Sequence, residues 1–132
     1  MKHIAYLSIF LFAVFAINLS AQAPTTTVQN IKPTVTAGDL VFAAQLLNSV
    51  ELRGNEVDAF VTVKTALKPY LDKIQNEKLQ ATSNVEMNFP LATAQNLLTF
   101  MERGKISGAD ADRYKRFVDS FVTAAKTAAG QK

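Results

Sequence analysis

Residues 107–130, SGADADRYKRFVDSFVTAAKTAAG, decide the fold class. Ala111, Tyr114, Phe117, Val118, Phe121, Val122 and Ala125 recur at spacings of three and four, which puts them on one side of a helix. Asp112, Lys115, Arg116, Asp119 and Lys126 take the other side, with Asp112 and Arg116, and Lys115 and Asp119, spaced for mutual support. Ser107 followed three positions later by Asp110 is a cap signal. The pattern predicts an amphipathic helix over about 108–129.

The same logic extends upstream. Pro90 opens a third helix, since proline is tolerated at the first helical position. Leu91, Ala94, Leu97, Leu98 and Met101 form its stripe, and Gly104 closes it. Before it, Val85, Met87 and Phe89 alternate with polar residues, the period of a strand. A single strand has no partner, so 80–89 is expected to be an extended segment laying three side chains on a bundle. Phe60, Val63, Leu67, Tyr70, Leu71 and Ile74 hold one phase over 56–79 behind Asn55 and Asp58. Pro69 falls on the opposite side, so one bent helix is expected there despite the missing N–H.

The first helix is expected from Thr36, with Asp39 three residues on, to Arg53, where Gly54 can close it. Leu40, Ala43, Ala44, Leu46, Leu47 and Val50 form a broad apolar face. Val41 and Leu52 fall outside that face, beside Gln45 and Asn48. On a continuous helix, residues 41, 45, 48 and 52 would line one edge. That edge is the candidate interaction site, to be covered by 80–89 or by a partner.

These readings predict an all-α fold: a small antiparallel four-helix bundle or a pair of helical hairpins spanning 36–132. Residues 24–35, PTTTVQNIKPTV, read as an extended, mobile Thr/Pro-rich lead-in. AQLLNSVELRG (44–54) and AQNLLTFMERG (94–104) echo one another. Duplication of a hairpin would explain this, as would convergence of helix-to-glycine turns.

The amino end, MKHIAYLSIFLFAVFAINLSAQA (1–23), has the layout of a cleavable export signal. Lys2 is positive, Ile4–Ile17 is apolar and uncharged, and Ala21 and Ala23 flank a cleavable bond. The apolar stretch is shorter than the about 20 residues of a spanning helix, which favours cleavage over retention as an anchor. The expected location is the periplasm or the outside of the cell.

Composition narrows the chemistry. The chain of 132 residues has no cysteine and no tryptophan, and its one histidine is His3. Cleavage would leave no His, Cys or Trp, so disulfides, thiolate or imidazole metal sites and histidine-activated nucleophiles are excluded. A calcium loop at 99–110 would need oxygen ligands where Met101 and Arg103 stand. Asp110 and Asp112 are first-turn acids favoured by the helix dipole. Ser49, Ser83, Ser107 and Ser120 lie in no nucleophile motif. No catalytic residue, cofactor or metal is therefore expected.

The sequence pI of 9.3 reflects the scarcity of groups titrating between carboxylates and amines rather than a strong charge. Lys64, Lys68, Lys73 and Lys78 scatter around their helix, with Asp72 and Glu77 among them, so nucleic acid is not implied. The expectation is an exported, non-catalytic interaction or structural module whose partner is another protein or a second copy. Two alternatives stand beside it: an anchored protein that retains 1–23, meeting the membrane only in that case, and a bundle carrying a small apolar ligand.

Overall fold

The computed structural model describes residues 27–130. The signal expected at 1–23 lies outside the described residues. Four helices dominate: α1 (Ala37–Leu47), α2 (Val57–Asn76), α3 (Leu91–Glu102) and α4 (Ala111–Ala128). Four short strands accompany them: β1 (Asn30–Ile31), β2 (Thr34–Thr36), β3 (Asn84–Glu86) and β4 (Phe89–Pro90). Strand β1 pairs with β4, and β2 with β3, both antiparallel.

The expectation of a purely all-α fold is therefore corrected. The segment at 80–89 does have a strand partner, and that partner is the lead-in. Ile31 stands opposite Phe89, and Val35 opposite Val85. Between the two pairings Met87 N–H donates to Pro33 C=O at 3.0 Å, so one register runs through both. It continues outward, with Leu91 N–H on Gln29 C=O and Ala37 N–H on Ser83 C=O, each at 2.8 Å. The two pairs are halves of one ribbon, interrupted where Pro33 has no N–H to give.

Side-chain alternation holds this ribbon on the helices. Ile31, Pro33, Val35, Val85, Met87 and Phe89 are buried, while Lys32, Thr34, Glu86 and Asn88 are exposed. Odd positions of both strands thus enter the core, as period two requires. The three apolar residues of 80–89 do lie on the helices. The lead-in is extended but is not free, since Ile31 is fully buried. The outer edge of the second strand is held by α2. Tyr70 Oη accepts from Asn88 N–H and donates to Asn88 C=O, both at 2.9 Å.

Behind the ribbon Phe89 meets Phe121 edge-on at 5.6 Å, and Phe117 lies 4.8 Å from Phe121. Helix α2 packs chiefly on α3, and α1 on α4. Phe100, which lies off the α3 stripe of Leu91, Ala94, Leu97, Leu98 and Met101, is buried and meets Phe60 edge-on at 5.3 Å. Helix α3 is covered on two sides, by α2 and by α1, so one stripe understates its buried face.

The helix ends differ from expectation in instructive ways. Helix α2 carries Pro69 within it, exposed on the outer side. It stops at Asn76 because Lys78 takes a left-handed conformation, φ 51°. Leu79 N–H then reaches Ile74 C=O at 3.0 Å, and Lys78 N–H reaches Gln75 C=O at 3.4 Å. This is a Schellman closure with lysine where glycine is usual. Helix α1 ends at Leu47 rather than Arg53. Asn48, Ser49 and Val50 each donate an N–H three residues back, and Ser49 Oγ donates to Leu46 C=O at 2.7 Å. These bonds satisfy the last carbonyls and unwind the helix.

Candidate interaction surface

The early end of α1 takes apart the edge expected at Val41, Gln45, Asn48 and Leu52. Val41 and Gln45 remain on α1 and share a shallow hollow of about 300 Å³ with Ile74, Leu79, Ala81 and Arg113. Asn48 is the carboxyl cap of α1 and is exposed. Leu52 lies in the following loop, 36% exposed. The structure keeps the first two together in that hollow and leaves Leu52 outside it.

Leu52 has different neighbours. The guanidinium of Arg103, at the end of α3, donates to Glu56 Oε1 at 2.7 Å and also to the carbonyl of Glu51. The other carboxylate oxygen of Glu56 accepts from Arg53 N–H at 2.8 Å. That backbone N–H, followed by the Arg103 guanidinium, holds the Glu56 carboxyl below the usual carboxylate range. The node ties the start of α2 to the end of α3. Leu52, Val57, Val61 and Ile106, all exposed apolar residues, occur in the segments it joins. Gly104 packs against Leu46 beside it. The two Arg-Gly ends of the sequence echo are thus neighbours in space. Their helices differ in length, one stopping at Leu47 and the other running to Glu102.

A groove of about 640 Å³ runs between the ribbon and α4. Asn30, Lys32, Pro33 and Thr34 form one wall, and Asp119, Ser120, Thr123 and Thr127 belong to the other. Gln29 Nε2 donates to Ala128 C=O at 3.3 Å and closes one end. Ser120 and Thr127, which line it, donate their hydroxyl protons to carbonyls one turn back, at 2.9 and 3.0 Å. Asp119 is held by Lys115 at 2.6 Å. A smaller apolar groove of about 320 Å³ lies between α3 and α4, lined by Leu91, Leu98, Val122 and Ala125 among others.

One polar contact, between Asp39 and Arg116, escaped sequence reasoning altogether. Asp39 was read only as a cap residue. Thr36 Oγ1 does accept from Asp39 N–H, at 3.2 Å, but the Asp39 carboxylate is buried and turned to Arg116 of α4. Arg116 had been assigned to Asp112. Among the described residues, no group of His, Cys, Asp and Glu side chains could hold a metal, and no helix is long and apolar enough to cross a membrane. Comparison with known proteins found no matching family model, curated protein or solved structure.

Proposed function

We propose that the chain is an exported, non-catalytic interaction or structural module. The observation that carries this reading is the exposed apolar set Leu52, Val57, Val61 and Ile106, borne on the segments that the Arg103–Glu56 pair joins. Apolar residues around a satisfied ion pair have the make-up of an interface centre with a polar anchor. The signal layout at 1–23 supports export. A helical part read as a small antiparallel bundle, closed by the ribbon, supplies a rigid support for such a surface.

Two measurements test this proposal. The mass of the protein purified from its native compartment should begin at Pro24; retention of Met1 would replace the free module with an anchored one. Cross-linking in that compartment, repeated with Leu52→Asp and Val57→Asp, should show an association that both substitutions abolish. Both positions are exposed, so the helical circular dichroism should be unchanged. Association that ignores both would remove this surface from consideration. The open groove between α3 and α4 favours, as a second reading, a small apolar ligand, and a melting temperature raised by a medium-chain fatty acid would support it.

A further inference from the structure

The ribbon has two outer edges, and the fold treats them differently. In an antiparallel pair, residues between the bonded rungs turn their N–H and C=O groups outward. On the second strand the outward groups of Asn88 are taken by Tyr70. The bonded rungs on the first strand are Gln29, Ile31, Pro33, Val35 and Ala37. Asn30, Lys32 and Thr34 therefore face outward, and their backbone groups have no hydrogen-bond partner among the described residues. They line the groove against α4. A row of alternating donors and acceptors at strand spacing is matched by one kind of ligand, another extended backbone.

We propose that this edge takes an extended acidic peptide segment of a partner protein, which adds a third strand to the ribbon and lies over Ser120, Thr123 and Thr127 of α4. The proposal goes beyond the exposed apolar surface and rests on different residues. The acidic character follows from Lys32. It stands on the edge, is exposed, and has no ion pair among the described residues. Glu86 shares its face of the ribbon but lies on the far strand, and Asp119 is committed to Lys115. A carboxylate opposite Lys32 on an incoming strand gains the cross-strand attraction. The same lysine argues against a second copy, since two such edges paired about their centres would set Lys32 against Lys32. Hydroxyl-bearing and small side chains on the α4 wall suit a peptide of similar character rather than a bulky apolar one.

The test uses the processed protein labelled with nitrogen-15 and the synthetic peptide acetyl-TVTDTVTE-amide. Its twin with both acids replaced by lysine is the comparison. The acidic peptide should move the Asn30, Lys32 and Thr34 amide resonances and slow hydrogen exchange at Lys32 and Thr34. The lysine twin should bind about tenfold more weakly. Lys32→Glu should reverse that preference. Lys32→Pro removes an N–H that the fold does not use, so binding should vanish while circular dichroism stays unchanged. If Lys32→Pro unfolds, Lys32→Glu and the exchange data still decide. No change at Asn30–Thr34 with millimolar acidic peptide would overturn the proposal. So would protection that appears on raising the protein concentration alone, which would assign the edge to a second copy. Association lost with Leu52→Asp but kept in both Lys32 variants would also overturn it while leaving the module reading intact. Peptide binding at the edge with no cross-linked partner lost on Leu52→Asp would do the reverse.

Discussion

Asp39 and Arg116 form a two-pronged ion pair across the molecule. Arg116 Nε donates to Asp39 Oδ2 at 3.0 Å and Nη2 to Oδ1 at 2.8 Å. The acid side is 5% exposed and the base side 58%. The carboxylate has given up most of its water, whereas the guanidinium has kept much of its own. Removing the two partners should therefore have unequal consequences.

Arg116→Ala leaves a buried carboxylate without its partner and should destabilise by about 2–3 kcal/mol. Asp39→Ala frees a guanidinium that solvent can still reach, so its cost should be smaller. The double variant should be less destabilised than the sum of the two, as a coupled pair requires. Urea unfolding of the three variants measures this, and strict additivity would show that the pair is not coupled.

Gly104→Ala tests the packing of α3 against α1. A Cβ at that position would stand 2.3 Å from Leu46 Cδ1 and 2.6 Å from its Cγ, so the whole side chain must move. The cost should be about 1–3 kcal/mol, partly relieved by adding Leu46→Val. Gly108→Ala has nothing within 4 Å of the new methyl and should leave the melting temperature nearly unchanged.

Tyr70→Phe removes the hydroxyl that serves both backbone groups of Asn88 and should cost about 1–2 kcal/mol. Exchange of the Asn88 amide should accelerate more than that of Val85, whose pairing lies within the ribbon. Equal acceleration at both would mean that Tyr70 supports the ribbon as a whole.

Glu56 gives the fold a pH dependence of known sign. Its folded pKa lies below the ordinary value, held there first by Arg53 N–H and then by Arg103. Its contribution is therefore present above the ordinary carboxylate pKa and is lost as pH falls through the lowered one. Glu56→Gln should be less stable than the wild type at neutral pH, and the gap should narrow on acidification. A gap constant with pH would show that the charge plays no part.

Lys78→Gly should raise stability by about 0.5–1 kcal/mol, because an L-residue there pays for a left-handed backbone that glycine adopts freely. Thermal unfolding checks it.

The helices were legible because each writes its buried side into the chain at period 3.6, and Pro69 could be placed outside because the phase on either side of it agreed. The ribbon was not. Val85, Met87 and Phe89 showed their alternation, but Ile31, Pro33 and Val35 showed theirs in a stretch where Thr and Pro suggested a tail. Neither strand makes sense without the other, and a pairing between residues far apart in sequence leaves no local mark. The end of α1 was misplaced for the opposite reason. Gly54 offered an obvious stop, while Asn48 and Ser49 ended the helix earlier through bonds to its own carbonyls. Of the candidate site, Leu52 was placed off the broad apolar face, whereas Val57 and Ile106, exposed on the segments that Arg103 and Glu56 join, carried no such mark. The Asp39–Arg116 pair joins α1 to α4, and neither residue's surroundings announce it.

The ribbon also sets an order of events. Its rungs join Gln29 to Leu91 and Ala37 to Ser83, so all of α1 and α2 is threaded between its two strands. A chain made amino end first has nothing to pair with its leading strand until residues 83–91 have emerged. Ile31, Val35 and the carboxyl-terminal Phe117 and Phe121 reach their common core only after that. The domain is thus closed by a latch whose first half is made well before its second and must wait for its catch. Anything that occupied residues 29–35 during that interval would keep the two strands of the ribbon apart until it left.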